Sequence, residues 1–128
     1  MSNHVWPTLK YDDAPAAVRF LVEALGFEPR VVYTNDDGTI SHAELTWPAG
    51  GGVMLGSSGA GSPDFDRAVT GVSAVYVVSD DPDTLHKRAI AAGATEVMPL
   101  RDEDYGSRGF TVRDPGGHLW SVGTYAGG

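Results

Sequence analysis

His42 and Glu44 stand two residues apart in the stretch TISHAELTW, residues 39–47. If that stretch is a strand, the two side chains share one face of it, because successive residues alternate across a sheet. An imidazole beside a carboxylate can move a proton as a general acid–base pair, or give two donors to a divalent cation. His118 or His4 would be needed as a third donor, and no spacing enforces either. The bland readings are that His86 sits on a solvated helix, His4 in a frayed N-terminus and His118 just after a turn, bonded to local backbone. The chain has no cysteine, which removes thiolate ligands, cysteine nucleophiles and disulfides. No nucleophile–base–acid series, phosphate loop or nucleotide fingerprint is visible.

The elements that would hold these residues follow one order, written twice. A short strand over 5–11 is cut by Asp12-Asp13, and apolar Ala17, Phe20, Leu21 and Leu25 then recur at helical spacing before Gly26, which can close a helix with positive φ. Strands over 29–34, 39–47 and 53–57 follow, joined by an Asp37-Gly38 turn and a Pro-Ala-Gly-Gly-Gly loop. After SSGAGSPDFD (57–66) the order restarts, with Leu85, Ala89 and Ala92 as the helix stripe and strands near 95–100, 107–113 and 118–124. Asp13 and Asp81 are 68 positions apart, and Gly26 and Gly93 are 67 apart. The near-identity of the two offsets predicts two βαβββ modules: about 5–57, a linker about 58–70, and about 71–125, in a single domain spanning 1–128. The predicted fold class is α+β, with paired modules forming a curved mixed or antiparallel sheet cup and helices outside. The last hairpin, FTVRDPGGHLWSV (110–122), turns at Asp114-Pro115-Gly116-Gly117.

Composition narrows the function. With 128 residues, 41 % hydrophobic, the chain can bury a real core, and its net charge of −8 argues against nucleic acid or an anionic membrane surface as partner. No long apolar run or basic leader stands out, so a soluble cytoplasmic protein is expected.

With these motifs in place, the sequence resembles the vicinal oxygen chelate superfamily, the glyoxalase, bleomycin-resistance and extradiol-dioxygenase fold. It is most similar to a divergent glyoxalase-like group carrying "DG.I.HAEL" and "YG.R...V.DP.GH.WS...T", matched here by residues 37–45 and, as far as the serine, 105–121. In metal-dependent members, the resemblance implies His or Gln near the start of each module and Glu near its end. This chain offers Trp6, Pro7 and Thr8 on the first strand, Val72, Ser73 and Ala74 on the fifth, no carboxylate in VMLGS, and Ser121 at the final carboxylate position. A neutral hydroxyl is a poor divalent-metal ligand. Neither a metal site of the usual kind nor another cofactor is therefore expected.

The expected function is metal-independent binding of a small organic molecule, with antibiotic sequestration of the bleomycin or mitomycin type as one form of it. The site residues expected are Trp6, Thr8, His42, Glu44, Tyr105, Arg108 and Ser121. Trp6 is either an aromatic wall or a plug of the lost metal position, Trp120 is core, and Arg108 either reaches the ligand or pairs with Asp102, Glu103 or Asp104. Two other readings stay open: a glyoxalase-like lyase, isomerase or dioxygenase using a divalent metal or the His42–Glu44 pair, and an interaction module whose cup is filled by side chains. A homodimer is expected, because sheet edges left open invite association.

Overall fold

A computed structural model describes residues 5–59, 73–103 and 106–125. The elements run β1 (Thr8–Tyr11), α1 (Ala14–Phe20) continued by a π-helical turn (Leu21–Leu25), β2 (Glu28–Thr34), β3 (Ile40–Thr46) and β4 (Gly52–Ser57). They then run β5 (Ala74–Val78), α2 (Pro82–Ala91), β6 (Thr95–Asp102), β7 (Arg108–Arg113) and β8 (Leu119–Gly123). Most of the stretch expected as a linker lies outside the described residues.

Both helices start and stop by the same chemistry. The Asp13 carboxylate accepts the N–H of Ala16 ahead of α1, and Asp81 accepts the N–H of Thr84 ahead of α2, with a proline in each first turn. Gly26 and Gly93 take φ of +88° and +95°, a conformation that other residues reach only with strain. Nothing in the residue pattern announces the π turn. Through it, Leu21, Ala24 and Leu25 are all buried.

Each module forms a four-stranded sheet, ordered β1-β4-β3-β2 and β5-β8-β7-β6. The sheets are mixed: the first strand of each module lies parallel to the last, and the other pairings are antiparallel. Among the described residues the two sheets share no hydrogen-bonded pairing and do not close on each other. One face of each carries Leu9, Tyr11, Ala43, Leu45, Val53 and Leu55, or Val77, Phe110, Val112, Trp120 and Val122, all within one hydrophobic core that also takes in both helices. Trp120 is completely buried, as expected, and Phe27 bridges the modules by meeting its ring at 5.5 Å. The alternate residues form a second, open face on each sheet. No helix among the described residues is long and apolar enough to cross a membrane.

Candidate functional site

The turn at Asp114 proves to be a clasp between modules. Asp114 Oδ2 accepts the Tyr11 hydroxyl at 2.6 Å and the Trp120 indole N–H at 2.7 Å, while Oδ1 accepts the N–H groups of Gly116 and His118, each at 3.0 Å. The carboxylate is 5 % exposed, and four donors replace the water it loses. Burial and the adjacent carboxylate push the Tyr11 phenol far above its ordinary pKa, so it stays a neutral donor. The Tyr11 ring lies where a Cβ on Gly116 would stand, so that close approach requires glycine.

A second pair of bonds repeats across the modules. His118 Nε2 donates to the Lys10 carbonyl at 2.8 Å, and Trp47 Nε1 donates to the Val78 carbonyl at 2.9 Å. Lys10 pairs with Gly56 and Val78 with Gly123, so the two carbonyls occupy equivalent places at the ends of β1 and β5. Trp47 and Asp114 begin equivalent turns: each N–H bonds the carbonyl four residues on, and each carbonyl accepts from a glycine three residues on. Each module thus presses the turn before its last strand against the other's first strand. His118 is bonded to backbone, but to a strand 108 residues away rather than locally. Its Nδ1 accepts the Ser73 N–H at 3.1 Å, and its ring is fully buried.

The open face of the first sheet carries Thr8, Lys10, His42, Glu44 and Met54. His42 Nε2 lies 2.9 Å from Glu44 Oε2, the Tyr33 ring lies roughly parallel to the His42 ring at 6.4 Å, and Arg30 approaches Glu44 at 4.0 Å. Thr8, Lys10, His42 and Met54 line a cavity of about 230 Å³. On the second sheet, Ser121 Oγ lies 2.8 Å from Thr111 Oγ1, and both border a cavity of about 330 Å³ with Tyr76, Met98 and Arg101. The two cavities share no residue.

The expected site residues are therefore dispersed. Thr8, His42 and Glu44 share the first open face, and Ser121 lies on the second. Trp6 covers Gly52, its ring 2.6 Å from where a Cβ would sit, and borders neither cavity. Arg108 grips Asp83 on α2 through Nε at 2.8 Å and Nη2 at 3.1 Å, with Asp102 at 3.2 Å from Nη1. Of the carboxylates expected as its partners, Asp102 is one, and Asp83 is the partner that sequence reading missed. That contact holds Asp83 below the usual carboxylate range. Tyr105, and Asp104 beside it, lie outside the described residues. His86 is not freely solvated: Nε2 meets Glu96 Oε1 at 2.7 Å and its ring stands edge-on to Phe110.

Register also supplies two residues that sequence reading overlooked. Thr8 faces Met54 across β1 and β4, and Tyr76 faces Ser121 across β5 and β8. The repeat offsets already pointed there, since Met54 lies 67 positions before Ser121 and Tyr76 lies 68 after Thr8. Val72 lies outside the described residues. None of these four side chains is an imidazole or carboxylate, and the described residues contain no cluster of three or more His, Asp or Glu able to hold a metal. The described donors do not fit the ion that the resemblance implies for metal-dependent members.

Comparison with known proteins agrees with this architecture. An uncharacterised protein of Mycobacterium bovis is 33 % identical over 130 residues, covering 91 % of this chain and 80 % of that protein. The crystal structure of TioX from Micromonospora sp. ML1 superposes with a TM-score of 0.76 at 35 % identity, covering 95 % of this chain and 98 % of that one. A glyoxalase-related enzyme from Fulvimarina pelagi shares the fold, with a TM-score of 0.69 at 24 % identity and coverage of 96 % and 88 %. The family model for the Glyoxalase/Bleomycin resistance protein/Dioxygenase superfamily matches residues 3–122, and the chain belongs to that superfamily.

Proposed function

We propose that this protein binds a small organic molecule on its open sheet faces without a resident metal, and that two copies associate so that the faces of different chains meet around the ligand. The observation that carries this reading is the pair of cross-strand positions Thr8–Met54 and Tyr76–Ser121. They present a thioether, two hydroxyls and a phenol, the last already donating its proton to the Tyr125 carbonyl at 2.6 Å, where a metal site would need imidazole and carboxylate. Such groups suit a ligand that is largely apolar or aromatic and carries a few hydrogen-bonding atoms. Sequestration of an antibiotic is one form of this activity, and the net charge of −8 favours a cationic one. The cytoplasm is the proposed location.

Support for a second chain comes from the separation of the two cavities and from the outer edge strands β2 and β6, since β1 and β5 already take bonds from the other module's turns. A second reading rests on the 2.9 Å contact of His42 with Glu44. In an enzyme, Glu44 would orient the imidazole while His42 exchanged a proton with substrate. Calorimetric titration with metal-free bleomycin and with mitomycin C, both in excess chelator, tests the binding reading. Saturable heat supports it. Binding of neither compound, with turnover of an α-keto hemithioacetal lost in His42→Ala, favours the enzyme.

A further inference from the structure

A cavity of about 400 Å³ lies at the junction of the modules, among the π turn, the β3–β4 turn and the start of α2. Leu25, Trp47, Val78 and Leu85 give it apolar walls. The Trp47 ring is fixed there by its bond to the Val78 carbonyl and by packing on Phe27 at 4.9 Å.

Two charged groups border this cavity with bonding capacity to spare. Arg88 caps the end of the first module's helical segment, donating from Nε at 3.1 Å and Nη2 at 2.8 Å to the Glu23 carbonyl. Among the described residues its Nη1 makes no hydrogen bond and no carboxylate pairs with the guanidinium, and Nη1 lies 3.6 Å from where a Cβ on Gly26 would be. Asp80, also on the cavity wall, has no hydrogen bond or ion pair among the described residues, whereas neighbouring Asp81 is engaged by Thr84. Arg88 stands six residues past Pro82, roughly 9 Å along the α2 axis at 1.5 Å per residue. Asp80 precedes the helix, so the backbone sites of the two charges are well separated.

We propose that this junction cavity binds a small zwitterion with an apolar body, of which an apolar dipeptide is the simplest representative. The carboxylate takes the open Nη1 of Arg88, the ammonium takes Asp80, and the side chains lie against Trp47 and Leu85. A simple anion would leave Asp80 unpaired and meet a chain of net charge −8. A simple cation would leave Arg88 unpaired. The volume falls in the range of small-ligand pockets and suits two residues better than a large drug.

Titration of the full chain with phenylalanyl-leucine, its N-acetyl form and its C-terminal amide, followed by amide and indole N–H shifts, tests this. The expected result is saturable movement of the Trp47 indole and of the Gly26 and Asp80 amides, with each blocked form binding about tenfold or more weakly, the cost of one charge-assisted hydrogen bond. Asp80→Asn, an exposed change that spares the fold, should weaken the dipeptide by a similar factor and leave the affinity of the N-acetyl form unaltered. Absence of saturable shifts at these positions up to millimolar dipeptide overturns the proposal, as does equal affinity for all three forms. The open-face proposal is read at different residues and stands or falls separately.

Discussion

The hydroxyl of Tyr11, at the end of β1, lies 2.6 Å from the Asp114 carboxylate in the turn before β8, 103 residues later in the chain. This contact joins two separately hydrogen-bonded sheets, and the same carboxylate anchors Trp120 in the core. Asp114→Asn brings an N–H₂ group to a site where all four partners are donors. It should destabilise the fold by about 3–5 kcal/mol, as expected for breaking a buried charged network. Tyr11→Phe removes one donor and should cost about 1–3 kcal/mol. Urea unfolding of both variants and of the double variant checks this, with the double change costing clearly less than the sum.

Alkaline pH probes the same contact. The folded phenol is held far above the unfolded value of about 10, so its stabilising effect is complete below pH 10 and declines as pH rises beyond it, when only the unfolded chain ionises. The slope is about 1.4 kcal/mol per pH unit. Unfolding midpoints measured at pH 9 and pH 11 should diverge less in Tyr11→Phe than in the unaltered protein. On the acid side the sign reverses for Asp83. Its contact with Arg108 is favourable above the ordinary carboxylate pKa and is lost as pH falls below it, so Asp83→Asn should flatten the acid limb of the stability profile.

Ser121→Glu restores a carboxylate at the position where the family resemblance implies one. Its neighbours are the hydroxyl of Thr111 at 2.8 Å and, across the strand pair, Tyr76. With no imidazole on this cavity wall, and its one carboxylate, Glu103, held by Arg101 at 2.6 Å, the variant should gain no stoichiometric zinc by elemental analysis. A loss of about 1–3 kcal/mol in stability is expected from partly burying an unpaired charge. One zinc per chain in the variant would show that further donors, Glu103 on the same cavity wall being the first candidate, complete a site.

Association is checked by sedimentation equilibrium at micromolar concentration, which should return twice the 13.5 kDa chain mass. A species at the chain mass would leave the two open faces as separate, shallow sites.

The two modules were legible because their marks are local. An aspartate cap, a closing glycine and a tight turn each act within a few residues, so Asp13, Gly26 and their repeats at Asp81 and Gly93 disclosed the elements and their order. Burial of Trp120 was legible once the family resemblance set Ser121 on the ligand side, because strand alternation then turns Trp120 to the core. The reach of His118 to Lys10, of Trp47 to Val78 and of Arg108 to Asp83 was not, since each depends on how one module or element is set against another. The parallel entry of β1 beside β4 was hidden for the same reason: alternation fixes a strand's faces and leaves its neighbour open. Tyr76 and Met54 lay within reach of the repeat offsets, but strand ends alone do not set register.

The central claim, organic-ligand binding on the open faces without a metal, is tested most directly by amide-shift mapping of the chelator-treated protein against a set of small aromatic compounds. Saturable shifts clustered at Thr8, His42 and Met54 and at Tyr76, Thr111 and Ser121 are expected, unaltered when zinc or manganese is added. Shifts at these residues that occur only after a divalent ion is supplied would contradict it.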